Sequence, residues 1–110
     1  MTLEEAILSG LSKVKAVDII IYDTKERSPF YDQMFLATVT SERAVTSVAS
    51  YVKDAVIEAG FDVRVIEGQG TPWVIIDCYQ AIVCVFTKEE REHFALEKIY
   101  MDTPSRKVED

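Results

Sequence analysis

The sequence predicts an α/β domain in which helices flank a single mixed sheet of five strands. Two apolar runs, residues 73–77 and 81–86, enclose a very short link, which is the pattern of a tight antiparallel hairpin. Apolar residues recur at helical spacing between residues 41 and 59, which predicts an amphipathic helix. With the shorter apolar runs, these segments give the order helix, two strands, helix, three strands, helix (αββαβββα).

Capping signals locate the helices. Thr2 and Glu5, and later Thr87 and Glu90, are spaced as capping boxes, and Gly60 suits the left-handed residue that ends many helices. The predicted helices cover residues 3–15, 41–59 and 87–101. The remaining predicted strands cover residues 17–22, 35–40 and 61–66, and a charged loop covers residues 23–33.

The connections predict one domain over residues 1–104, followed by a loose, charged tail over residues 105–110. The helix over residues 41–59 links two strands as a crossover, which predicts that these strands are parallel. In the hairpin, Trp73 should lie opposite Phe86 and Asp77 opposite Ile82, all on one face of the sheet. Periodicity leaves open whether Trp73 belongs to the core or anchors an interface.

Composition restricts the class of protein. Apolar residues make up 48% of the 110 residues, which is enough for a folded core, and no apolar run is long enough to span a membrane. The net charge of −7 argues for little direct nucleic-acid contact, although an acidic protein can dock on a basic one. Because the N-terminus is acidic and lacks an export signal, we expect a cytoplasmic protein.

The chain shows no pattern of an active site. A Gly-rich phosphate loop is missing, and Asp18, Asp23, Asp32 and Asp77 are far apart in sequence. His93, the lone histidine, lies in a charged helix, where it is typically a surface residue. We therefore expect no catalytic residue, no cofactor and no metal site. The spacing of the two cysteines predicts reduced, apolar thiols rather than a disulfide.

An ordered set of residues resembles the ribosomal silencing factor family (RsfS, Iojap-like). The family pattern is a Glu-Gly pair, Trp-Val-x-x-Asp, a strand ending in Val-Phe, a helical Arg, and a Leu-Glu pair followed by Asp. In this chain it falls on Glu67, Gly68, Trp73, Val74, Asp77, Val85, Phe86, Arg91, Leu96, Glu97 and Asp102. The family's Asp-Tyr-Phe is replaced by Asp32-Gln-Met-Phe35, with Tyr31 close by, and Cys84 stands where the family often has His.

The resemblance implies a nucleotidyltransferase-like fold and a steric mechanism. Such a factor binds the large ribosomal subunit through ribosomal protein uL14 and prevents subunit joining when nutrients fall, without catalysing a reaction. The partner-binding residues expected are Tyr31, Asp32, Arg43, Glu67, Trp73, Asp77, Tyr79 and Arg91. The alternative is a small nucleotidyltransferase-like enzyme that binds nucleotide and magnesium. The sequence leaves open whether the chain forms a homodimer.

Overall fold

The computed structural model describes residues 1–108, which contain four helices and six strands. The helices are α1 (Leu3–Ser12), α2 (Glu42–Glu58), α3 (Lys88–Phe94) and α4 (Leu96–Ile99). The strands are β1 (Val17–Asp23), β2 (Gln33–Val39), β3 (Val65–Glu67), β4 (Trp73–Asp77), β5 (Ala81–Thr87) and β6 (Ser105–Lys107). None of the helices within this range is long and apolar enough to cross a membrane.

The strands form one mixed sheet in the order β3-β4-β5-β2-β1-β6. Its centre is the parallel pair β2 and β5, in register from Gln33 opposite Ala81 to Val39 opposite Thr87. Every other neighbouring pair is antiparallel. The predicted mixed α/β architecture is therefore confirmed, with helices packed on the sheet.

The predicted crossover is confirmed, because β3 runs parallel to β2. The two strands are not neighbours: the hairpin of β4 and β5 lies between them in the sheet. β5 takes the central place because it is long and apolar and can be buried on both faces, as parallel strands require. β3 has only three residues and ends at the exposed Glu67, so it suits the edge.

The hairpin register is confirmed, with Trp73 opposite Phe86, Ile75 opposite Cys84 and Asp77 opposite Ile82. Alternate residues therefore point to two different cores. One core lies under α1 and α2 and includes Ile7, Val52 and the hairpin's inward-facing valines. The other is smaller. It consists of Tyr22, Met34, Leu36, Cys84 and Phe86, with Trp73, Leu96 and Tyr100 packed against it.

The C-terminal region differs from the prediction in two ways. The last helix is divided at Ala95, whose left-handed φ of 47° ends α3 before α4 begins. The sheet has six strands rather than five, because Ser105–Lys107 pairs with β1. These residues are therefore not loose: the free edge of β1 supplies backbone partners that a single-sequence pattern does not reveal. Glu109 and Asp110 of the predicted tail lie outside the described residues.

Gly10 marks the closest approach of α1 to α2. A Cβ atom at this position would lie 2.6 Å from the Cα of Val52 and 3.0 Å from the carbonyl oxygen of Tyr51. Both are backbone atoms and cannot move away without shifting a helix. The absence of a side chain at Gly10 therefore sets the distance between the two helices.

We expect Gly10→Ala to destabilise the domain by about 1–2 kcal/mol, because overpacking outweighs the better helix propensity of Ala. Urea unfolding at neutral pH would measure this change. Ser50→Ala, on the exposed side of α2, is the matched control and should stay within about 0.5 kcal/mol of the parent. A Gly10→Ala protein as stable as the control would contradict the tight helix contact.

Candidate partner-binding site

Asp77, the last residue of β4, joins three separate segments of the chain. Its side chain is buried, at 2% exposure. Oδ2 accepts hydrogen bonds from the Tyr31 hydroxyl at 2.7 Å and from Arg64 Nε and Nη2 at 3.0 and 2.7 Å. Oδ1 accepts the backbone N–H of Tyr79 at 2.9 Å. The carboxylate thus fixes a loop residue, a residue before β3 and the hairpin turn.

The hydrogen bonds determine the charge state of Asp77. Burial alone would raise the pKa of its carboxyl group, but the bonds from Arg64, Tyr31 and the Tyr79 backbone outweigh burial and hold the pKa below its ordinary value. The hydrogen bond to the carboxylate in turn raises the pKa of the Tyr31 hydroxyl. At neutral pH the cluster therefore contains an ionised Asp77 and a protonated Tyr31.

Aromatic side chains stand exposed around this carboxylate. Phe30 is 77% exposed and Tyr79 is 54% exposed, and the Arg64 side chain is 55% exposed. Together with Tyr31 they line a cleft of about 600 Å³ whose floor is Asp77. We call Phe30, Tyr31, Arg64 and Tyr79 the aromatic notch.

Tyr79 holds its place in the notch in an unfavourable backbone conformation. Its φ is 67°, a left-handed value that disfavours residues with a Cβ atom. The turn is closed by the Cys78 N–H donating to the Ala81 carbonyl at 2.8 Å, and Asp77 holds the Tyr79 N–H. Gly or Asn would suit this turn better. An exposed tyrosine in this place therefore points to a role outside the domain's own stability.

Phe30 and Tyr31 are held by the loop that precedes β2. The Ser28 hydroxyl oxygen accepts the backbone N–H groups of Phe30 and Tyr31 at 3.1 and 3.2 Å. The buried Thr24 hydroxyl donates to the Tyr31 carbonyl at 2.8 Å. These local bonds give the loop a defined shape although it has no regular secondary structure.

The predicted partner-binding residues divide between the two ends of the sheet. Tyr31, Asp32, Asp77 and Tyr79 lie together, because β2 and β5 begin at the end where β4 finishes. Asp77 is buried, and its hydrogen bonds are made within the chain. Its carboxylate therefore positions its neighbours, and its direct contact with a partner stays a prediction.

Glu67, Trp73, Arg43 and Arg91 belong to the opposite end of the sheet. Trp73 is half-buried and packs between Phe86 and Phe94, with ring centroids 5.5 and 4.6 Å away. Its buried indole nitrogen has no hydrogen-bond acceptor among the described residues. The structure therefore gives Trp73 a core role on one side and leaves its other side at the surface.

Arg91, which the resemblance places among the partner-binding residues, is buried at the end of the sheet that carries Trp73. Its Nη1 donates to the Asp18 carbonyl at 2.6 Å and the Thr38 hydroxyl at 2.9 Å, and its Nε donates to Glu97 at 3.2 Å. The side chain extends from α3 beneath the helix towards β1 and β2, where these acceptors lie. Arg91 therefore clamps α3 and α4 to the sheet.

Phe30 and Arg64 belong to the notch but do not stand out in the sequence. The contact of Arg64 with Asp77 depends on the pairing of β3 with β4, which places Val65 opposite Asp77. No local pattern encodes that register. A large apolar residue after Pro29 in a charged loop is the one signal that could have identified Phe30.

Cys78 and Cys84 are both buried free thiols. Burial raises the pKa of Cys78 to about 12 and that of Cys84 to about 11, which keeps both thiols protonated. Among residues 1–108, no group of three or more His, Cys, Asp or Glu side chains is placed to hold a metal ion.

The cleft at the carboxyl ends of β2 and β5 is where parallel sheets commonly bind nucleotides. Here four of the five charged residues that line it are acidic. The charged residues that line it are Asp18, Glu42, Lys88, Glu89 and Glu90. Such a lining repels phosphate groups and does not suit an anionic nucleotide.

We expect Asp77→Asn to lower the free energy of unfolding at pH 7, because charge-assisted hydrogen bonds are lost. Water screens the exposed Arg64 side chain, which limits the loss to about 1–2 kcal/mol. The depressed pKa means that the contribution of Asp77 is present above its ordinary pKa and is lost as pH falls through the folded-state pKa. Urea unfolding from pH 7 to pH 3 should show the gap between parent and variant closing below about pH 4.

Asp32→Asn is the matched control for this measurement, because Asp32 is an exposed carboxylate at the same end of the sheet. It should change stability little at any pH. A gap between parent and Asp77→Asn that stays constant down to pH 3 would contradict the assignment of an ionised, bonded carboxylate.

Comparison with known proteins gives the family. The family model described as "Ribosomal silencing factor during starvation" (RsfS) matches residues 2–110. A ribosomal silencing factor RsfS of Haemophilus influenzae is 34% identical over 101 residues, which cover 91% of this chain and 99% of the relative. One from Bacillus subtilis is 33% identical over 91 residues, covering 82% and 77%.

Solved structures agree with the sequence relatives. A crystal structure from Chromobacterium violaceum superimposes with a TM-score of 0.83 at 29% identity, covering 91% of this chain and 87% of that one. A Bacillus halodurans structure gives a TM-score of 0.82 at 27% identity, covering 96% and 97%. The chain therefore belongs to the ribosomal silencing factor (RsfS) family.

Proposed function

We propose that this protein binds the large ribosomal subunit through ribosomal protein uL14 and blocks subunit joining, so that translation falls under nutrient limitation. The family assignment supports a role in ribosome silencing. We propose further that the protein acts in the cytoplasm, without cofactor and without catalysing a reaction.

The observation that carries the proposal is the aromatic notch. Tyrosine and arginine are enriched among the residues that dominate binding energy at interfaces. In the notch, Asp77 fixes the Tyr31 hydroxyl, the Arg64 guanidinium and the Tyr79 backbone before any partner arrives. Such preorganisation reduces the entropy lost on binding. The notch therefore has the composition and the rigidity of a protein-docking surface.

Charge supports a basic protein as the partner. The net charge of −7 favours encounter with a positively charged surface and disfavours broad contact with ribosomal RNA. Many ribosomal proteins are basic, and we propose that uL14 presents such a surface to the notch. The acidic body would then orient the approach, while the notch would supply the short-range contacts.

The size of the domain fits a steric mechanism. Its extents are 34 × 32 × 26 Å. These are far larger than the distance of about 4 Å to which packed surfaces approach each other, so the bound domain would keep two such surfaces apart. A typical interface takes about 800 Å² per partner, roughly an eighth of the 6585 Å² that this chain exposes. Most of the domain would therefore project from the large subunit and prevent the small subunit from binding to it.

We expect Tyr79→Ala to weaken binding to isolated large subunits by about thirtyfold or more, because a central aromatic contact is worth about 2 kcal/mol. The parent should bind the large subunit saturably and the small subunit not at all. Binding would be measured by sedimentation of labelled protein with each purified subunit. Thermal unfolding should show that the variant remains folded.

Tyr51→Ala is the matched control, because Tyr51 is similarly exposed at 46% but lies on α2. It should bind like the parent. Equal binding to both subunits that disappears at modest salt would refute the proposed role. Loss of binding in Phe94→Ala, with Tyr79→Ala unaffected, would move the docking surface to the Trp73 end of the sheet.

A further inference from the structure

Residues 96–103, which we call the strap, cross the smaller core of the sheet. Leu96 and Tyr100 pack against this core, and the Tyr100 ring lies 5.3 Å from that of Tyr22. α4, which begins the strap, contributes no buried residue, and Ile99 and Met101 are 63% and 78% exposed. Apolar burial therefore holds the strap weakly, and polar contacts decide whether it stays in place.

Ala95, in its left-handed conformation, lies directly before the strap, and Pro104 lies directly after it, where its carbonyl accepts the Asp23 N–H at 2.8 Å. A left-handed conformation disfavours a residue with a Cβ atom, and release of the strap would relieve it. The segment is thus bounded by a strained junction on one side and by the start of β6 on the other.

Arg27 ties the strap to the loop that precedes β2. Its Nη1 donates to the Thr103 hydroxyl at 2.6 Å and to the Ile99 carbonyl at 3.2 Å. Its guanidinium carbon also lies 6.0 Å from the centre of the Tyr100 ring. Thr103 is 5% exposed, so this hydroxyl is a sheltered partner.

The same loop forms one wall of the aromatic notch. The backbone N–H groups of Arg27 and Ser28 donate to the Thr24 carbonyl at 3.0 and 2.9 Å, and the Ser28 hydroxyl in turn holds Phe30 and Tyr31. Tyr31 lines the notch, and it also lines a cavity of about 230 Å³ next to Tyr100. The strap and the notch therefore share this loop as a common wall.

We propose that the strap positions the aromatic notch, with Arg27 as the residue that couples them. While Arg27 holds Thr103 and Ile99, the loop keeps Phe30 and Tyr31 in their places around Asp77. When the strap is released, the loop loses this support and the notch loses its shape. The consequence for docking rests on the proposed function, whereas the mechanical coupling is a property of the isolated chain.

Hydrogen exchange in the parent, Arg27→Ala and Thr103→Val tests the coupling from both of its ends. Both variants should speed exchange about tenfold at the strap amides of Lys98 and Thr103 and at the loop amides of Ser28 and Tyr31. Amides of β2 and β5 should be unchanged. Both substitutions remove the hydrogen bond between Arg27 and Thr103. Exchange in the double variant Arg27→Ala/Thr103→Val should therefore be only slightly faster than in Arg27→Ala.

Lys25→Ala is the control, because Lys25 is exposed in the same loop and its side chain makes no hydrogen bond within the described residues. It should match the parent. Faster exchange in the strap with an unchanged loop would overturn the coupling, as would equal acceleration throughout the sheet.

Binding to isolated large subunits provides the second readout. Both variants should bind more weakly than the parent, in proportion to the loosening of the loop, and Lys25→Ala should bind normally. Normal binding by a variant whose loop is loosened would overturn the positioning role. If the parent itself does not bind, the proposed function fails, and the exchange rates alone support or overturn the coupling.

Discussion

The buried carboxylate of Asp77 is the interaction on which the candidate binding surface depends. An isolated buried charge is costly, so it persists only where donors surround it. Here Tyr31, Arg64 and the Tyr79 backbone supply those donors from three segments far apart in the sequence. One charge thus joins a loop, a residue just before the edge strand and a hairpin turn into a single rigid surface.

The central pairing of β2 with β5 places Asp77 at this junction. Because these strands are parallel, both begin at the same end of the sheet, and the antiparallel β4 finishes there. The Asp32 N–H donates to the Gln80 carbonyl at 2.7 Å. This bond joins the residue before β2 to the residue before β5. Helices α1 and α2 bury one face of the sheet, and the strap packs against the smaller core on the other face.

Local patterns predicted the elements well and long-range pairings poorly. The hairpin register and the helix starts at Thr2, Ser41 and Thr87 are set by neighbouring residues and were predicted. The place of β3, the sixth strand and the break at Ala95 depend on tertiary contacts. Asp77 was predicted as a partner-binding residue, but its bond to Arg64 was not predicted, because that bond depends on the pairing of β3 with β4. The burial of Arg91 likewise follows from acceptors supplied by distant strands.

An electron cryomicroscopy structure of the large ribosomal subunit with this protein bound would test the proposed docking most directly. We expect density for the domain beside uL14, on the face that meets the small subunit, with Phe30 and Tyr79 turned towards uL14. The volume of the bound domain should overlap that of a joined small subunit. Density at a site that leaves subunit joining unobstructed, or a domain facing uL14 with its Trp73 end, would contradict the account.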